Sequence, residues 1–139
     1  MPTAPLVSVL VAVHDGEPFV RAALLSVLRQ TVSDLELIVV DDASTDGTAE
    51  TVAGLEDPRL RVLGNDERLG LAGSLNRALD EAGGRYVARM DADDAAFPDW
   101  LARSLSLLNS SAGLGLVGSE MCIRDSCSAS CARPCPTSS

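Results

Sequence analysis

The chain has 139 residues, 46% of them hydrophobic, and a formal net charge of -9 from 20 acidic and 11 basic side chains. That length supports one domain with one core, and an acidic surface without a basic stripe excludes nucleic acid as a partner. The first residues carry no charged leader and the apolar run from Leu6 to Val13 is too short for a bilayer or a signal peptide, so a cytoplasmic location is expected.

Val7 to Val13 is a near-continuous, β-branched apolar run, the pattern of a parallel strand covered on both faces. From Pro18 the period changes. Val20, Leu24, Val27 and Leu28 repeat at helical spacing and predict a helix ending near Gln30. A second strand spans Leu35 to Val40 and closes on Asp41 and Asp42. Ser44, Thr45 and Asp46 offer caps for a helix through Val52 and Leu55, which Asp57-Pro58 ends before a short strand from Leu60 to Leu63. The third helix is predicted over Leu71 to Ala82 with Leu71, Leu75, Ala78, Leu79 and Ala82 inward, stopped by Gly83-Gly84. A fourth strand starts at Arg85, Pro98 opens a helix with Leu101, Leu105 and Leu108 inward, and Leu114 to Val117 reads as a fifth strand. Strands alternating with helices predict a mainly parallel α/β sheet with ligands at the strands' C-terminal ends.

Both acidic groups fall at such ends. Met90-Asp91-Ala92-Asp93-Asp94 crowds three carboxylates after an apolar strand, where mutual repulsion demands water or a cation. A divalent metal bridging to a phosphate meets that demand, because hard carboxylate oxygens suit Mg²⁺ or Mn²⁺. Aspartates at strand ends also cap turns and helices, and the Asp41-Asp42 pair alone carries no functional argument. His14, Phe97 and Trp100 are assigned no chemistry.

Taken together, the motifs resemble family 2 glycosyltransferases of the GT-A fold. The residues that carry the likeness are Val7 to Val13 with His14-Asp15, Ser26 to Thr31, Leu37 to Thr48, Gly70 to Ala72, Leu75 to Ala78 and Arg89 to Asp94, in order over about residues 6 to 118. The resemblance implies transfer of a sugar from a UDP- or dTDP-linked donor to an unknown saccharide, lipid or protein acceptor in cell-surface polysaccharide synthesis. It implies peripheral association with the inner face of the membrane as well. By position, Ala12, Val13 and His14 are expected against the base, Asp42 bonded to it, and Arg68 and Asn76 along the nucleotide pocket. Asp91 is expected near ribose or metal, Asp93 as the direct Mg²⁺ or Mn²⁺ ligand, and Asp94 as a supporting carboxylate. The general base that family members use has no match before residue 118, so no catalytic residue is expected within the chain.

Other classes fit less well. A phospho-acceptor receiver domain needs a lysine at a later strand end, and the chain has none. A dinucleotide-binding oxidoreductase wants a glycine-rich turn after the first strand, where this chain has only Gly16. The serious rival is a truncated, non-catalytic nucleotide-binding fragment. Residues 1 to 118 are therefore expected to form the nucleotide-sugar-binding half-domain. Residues 119 to 139 read as a disordered or artefactual tail: they hold Cys122, Cys127, Cys131 and Cys135 without zinc-type spacing, and Val117 to Ser126 resembles translated adapter sequence.

Overall fold

The computed structural model describes residues 4–110, so the expected fifth strand and the tail lie outside the described residues. Eight elements alternate along the chain: β1 (Val7–Val13), α1 (Glu17–Leu28), β2 (Leu35–Asp41), α2 (Thr48–Ala53), β3 (Leu60–Gly64), α3 (Gly70–Glu81), β4 (Tyr86–Arg89) and α4 (Trp100–Ser110). The four strands pair in the order β3-β2-β1-β4, all parallel. The α/β class read from the alternating periods is the class observed.

Period-two alternation divides the core between the two faces of the sheet. On one face Val7, Val9, Val11 and Val13, with Leu35, Leu37 and Val39, pack against Val20, Ala23, Leu24 and Val27 of α1, Val52 of α2, and Leu101 and Leu105 of α4. On the other, Leu10, Ile38 and Val40 lie under Ala78 of α3, with Leu63, Leu75 and Ala82 at the margin. Val9, Val11, Leu37 and Ile38 are fully buried, and each such side chain contributes roughly 1.5–3 kcal/mol relative to exposure.

The expected inner stripe of α3 is only partly observed. Ser74 and Ala78 form its buried line, whereas Leu71 and Leu79 are 53% and 50% exposed. Small residues sit where the helix rides closest to the strands, which turns these two leucines to its flank. The other boundaries shift slightly. α2 ends at Ala53, leaving Leu55 to pack from the following turn, and α1 stops at Leu28.

Register brings the strand ends to one rim. Val13 stands opposite Asp41, Leu10 opposite Arg89, and the Met90 amide donates to the Leu10 carbonyl, so the acidic turn begins level with the last residues of β1. Entry into β4 depends on Gly84. A Cβ there would stand 2.5 Å from the Ser8 nitrogen, so the Gly84 amide can reach the buried Ser8 hydroxyl at 2.8 Å only because nothing intervenes.

Candidate functional site

Two loops meet at the rim and lock each other. The Asp15 and Gly16 amides donate to Ser44 Oγ and Thr48 Oγ1, both at 3.0 Å. In return Thr45 N reaches Asp15 Oδ1 at 2.7 Å and Gly47 N reaches Glu17 Oε2 at 3.0 Å. The lock holds two residues in the left-handed region, Asp15 at φ 50° and Ala43 at φ 54°. Of the expected caps for α2, Asp46 does bond the Thr48 amide at 2.9 Å, while Ser44 and Thr45 are taken up by Asp15. The Thr45 amide draws the Asp15 carboxyl below its ordinary value against the opposing effect of burial, and the Thr48 hydroxyl does the same for Asp46. His14 is held across the same seam, with Nδ1 2.7 Å from the Asp42 carbonyl and Nε2 3.2 Å from Asp15 Oδ2. A carbonyl only accepts, so Nδ1 carries a hydrogen.

Asp42, one residue past β2, is 3% exposed and its carboxylate is tightly held. Oδ1 accepts from Leu69 N at 2.7 Å and Asn65 Nδ2 at 2.9 Å, and Oδ2 from Gly70 N at 2.9 Å with Arg68 Nε 3.9 Å away. Gly70 opens α3 with φ +81°, so Asp42 also meets the positive end of that helix. Burial pushes the carboxyl up, but the Leu69 amide, Asn65, the Gly70 amide and Arg68 together hold it below the ordinary carboxylate value.

The acidic turn is the opposite case. Asp91, Asp93 and Asp94 each offer a carboxylate oxygen within 4.8 Å of the others. Asp91 pairs with Arg89 at 3.0 Å on the exposed side, and Asp93 is exposed. Asp94 is only 8% exposed and its Oδ1 is buried without a hydrogen-bond partner among the described residues. Burial first, then the charges of Asp91 and Asp93, push its carboxyl up. Clustered hard oxygens and one orphaned buried acceptor fit a divalent cation of the Mg²⁺ or Mn²⁺ kind.

Between these two groups runs a groove made of two adjoining cavities. The larger, about 360 Å³, is lined by Ala12, Val13, His14, Asp15, Gly16, Phe19, Asp91, Ala92 and Asp93. The smaller, about 100 Å³, is lined by the same Ala12, Val13 and His14 with Asp42, Arg68, Gly70, Leu71 and Ser74. The end of β1 is thus a shared ledge, with the tightly held carboxylate at one end and the open cluster at the other. The structure brings together Ala12, Val13, His14, Asp42, Arg68, Asp91 and Asp93 along this groove. Asn76 is the exception: it is exposed and lines neither cavity. Two residues along a helix is about 200° of turn, which carries Asn76 to the face opposite the buried Ser74. The side chains of α3 that line the smaller cavity are instead Ser74 and Leu71, with Asn65 supporting the site by donating to Ser74 Oγ at 3.1 Å and to Asp42. Sequence reasoning passed over them because two are small polar residues and the third was assigned to the core.

Comparisons with known proteins agree with this geometry. A model of the family described as glycosyl transferase family 2 matches residues 8–122. An uncharacterized glycosyltransferase of Haemophilus influenzae is 36% identical over 123 residues, covering 87% of this chain and 38% of that protein. The Escherichia coli UDP-Glc:alpha-D-GlcNAc-diphosphoundecaprenol beta-1,3-glucosyltransferase WfgD is 38% identical over 102 residues, covering 73% of this chain and 39% of that one. This chain therefore spans about two fifths of the length of these curated relatives. Among solved structures, S. aureus TarS 1-349 in complex with UDP-GlcNAc superposes with TM-score 0.70 at 26% identity, covering 81% of this chain and 37% of TarS. The mannosyltransferase PcManGT from Pyrobaculum calidifontis, in complex with GDP-Man and Mn2+, does so with TM-score 0.70 at 33% identity, covering 84% and 35%. The fold is that of the GT-A glycosyltransferases, and the chain belongs to glycosyl transferase family 2.

Proposed function

We propose that the groove holds a UDP- or dTDP-linked sugar, with the base in the small cavity against Ala12 to His14 and the diphosphate beside Asp91 and Asp93. The observation that carries this reading is the shared ledge: one strand end lines both cavities, so a single elongated ligand can run from Asp42 to the acidic turn. Asp42 Oδ2 bonds one amide and retains acceptor capacity for an imide N–H of a pyrimidine. A bound divalent ion would supply charge neutralisation for the departing diphosphate. Asp93 and Asp91 would hold it, with Asp94 beneath.

The acceptor is proposed to be an intermediate of cell-surface polysaccharide assembly, met at the inner face of the membrane. WfgD supports this by name, since its name specifies a diphosphoundecaprenol-linked acceptor. No described helix is long and apolar enough to cross a membrane. The base that would deprotonate the acceptor is proposed to lie in a part of the full-length protein beyond residue 118. Apart from the acidic turn, the carboxylate that lines the larger cavity is Asp15, and a carboxyl held down by the Thr45 and Asp46 amides is a poor proton acceptor. Titration with UDP and dTDP tests the reading. Binding is expected to require Mn²⁺ or Mg²⁺ and to collapse in Asp93→Asn, and equal affinity in EDTA would overturn it.

A further inference from the structure

Between the end of β4 at Arg89 and the start of α4 at Trp100 the chain forms no helix and no further strand, yet this stretch carries all three carboxylates. Its two sides are secured differently. On the β4 side, pairing and the Met90 amide on the Leu10 carbonyl hold it to the sheet. On the far side the last turn of α1 and the residues just after it supply the anchors. Ser26 Oγ accepts from the Ala96 amide at 3.0 Å while donating to the Ala23 carbonyl. Gln30, 6% exposed, donates through Nε2 to the Phe97 carbonyl at 2.6 Å and to the Ser26 carbonyl at 3.1 Å. Its Oε1 accepts from the Leu101 amide at 3.0 Å, and the Thr31 amide donates to the Pro98 carbonyl at 2.8 Å.

One buried amide side chain thus satisfies a free N–H in the first turn of α4 and a carbonyl of the incoming loop together, about 70 residues away in sequence. Its donor and acceptor roles are both used, which fixes its orientation. The motif from Ser26 to Thr31 touches neither cavity of the groove.

We propose that Gln30, together with Ser26, is a positioning residue for the Asp91–Asp93–Asp94 turn: it clamps residues 96–101 to α1 so that the three carboxylates converge on one cation. The inference rests on the metal reading of that turn. Carboxylates that repel one another spread unless the backbone beneath them is held, and groups that orient ligands typically change metal affinity about 10- to 100-fold when altered. Gln30→Glu is the sharpest probe, since it replaces the donor NH₂ by oxygen against the Ser26 and Phe97 carbonyls.

The experiment titrates the full 139-residue chain with Mn²⁺ and follows the free ion by electron paramagnetic resonance, with urea midpoints measured in parallel. Asp93→Asn tests the metal reading. Val52→Ala, in the core but on α2, tests whether lost stability alone matters. Asp93→Asn and Gln30→Glu are each expected to weaken Mn²⁺ binding roughly tenfold and Ser26→Ala to weaken it less, while Val52→Ala lowers the urea midpoint and leaves Mn²⁺ affinity within about twofold. If Asp93→Asn weakens binding but Gln30→Glu and Ser26→Ala do not, the positioning role is overturned and the metal site stands. If Val52→Ala loses Mn²⁺ in proportion to its stability, Gln30 is merely structural. If Asp93→Asn binds as the parent does, the metal reading itself fails. Should Gln30→Glu not fold, Ser26→Ala decides, because it removes one hydroxyl.

Discussion

Asp42 and Asp94 are the same residue type, one directly after β2 and the other in the loop that follows β4, and each more than nine-tenths buried, but the chain treats them in opposite ways. Asp42 receives three hydrogen bonds from Asn65, Leu69 and Gly70 with Arg68 beyond. Asp94 has an orphaned Oδ1 and two like charges for neighbours. The first is a charge the fold has already neutralised, so it serves as scaffold and as a fixed acceptor. The second is a charge the fold has left for something else to neutralise. Burial alone does not distinguish the two; the count of donors around each carboxylate does.

The largest effect expected from breaking this contrast is on the satisfied side. Asp42→Ala orphans three donors at once and is expected to cost about 3 kcal/mol in urea denaturation. The sign of its pH dependence follows from the same bonds. Because the folded carboxyl lies below its ordinary 3.8, its stabilisation is present above that value and is lost as the pH falls through the folded one. The acid limb of stability against pH should therefore be shallower in Asp42→Asn.

On the unsatisfied side the effect must come from outside. Mn²⁺ at a hundred times its dissociation constant is expected to stabilise the chain by about 2.7 kcal/mol, read as a rise in the thermal midpoint that the roughly tenfold weaker binding of Asp93→Asn cuts to about half. Without metal, Asp94→Asn is expected to stabilise the chain by about 1 kcal/mol, since it removes a buried charge beside Asp91 and Asp93. A loss of stability in the metal-free variant would show that Asp94 has a partner after all. The smallest change belongs to Arg89→Ala. The Arg89–Asp91 pair is exposed on both sides, so stability should move by less than about 0.5 kcal/mol. Mn²⁺ affinity should rise, because a competing cation has left Asp91.

Much of this arrangement was legible in the sequence, for reasons that differ by element. β1 and β2 announce themselves because a strand covered on both faces must be apolar at every position, and helix α1 because its stripe meets a wide core. The α3 stripe is legible at Leu75, Ala78 and Ala82, which do face the second core, but not at Ser74, Leu71 and Leu79, because a helix riding close to a sheet presents a small residue there and turns the two leucines aside. Aspartates at the rim were visible as residues but not as partners. Nothing in Asp42 and Asp94 as letters tells which will find donors, because the Leu69 and Gly70 amides reach Asp42 only after α3 has docked. Gln30 was legible as part of a motif and silent as to purpose, since its partners are backbone groups about 70 positions later.

The left-handed backbone at Ala43 bears on how far this groove can be redesigned. Asp15, held at a similar φ, has a side chain that accepts nearby amides, whereas a methyl group at φ 54° gives nothing back and costs roughly 1 kcal/mol. Glycine ordinarily loosens a chain, but at this position it would relieve that strain. A directed-evolution campaign seeking a new donor preference would tolerate more trial substitutions along the ledge from an Ala43→Gly starting point, because each altered contact would begin from a more stable parent.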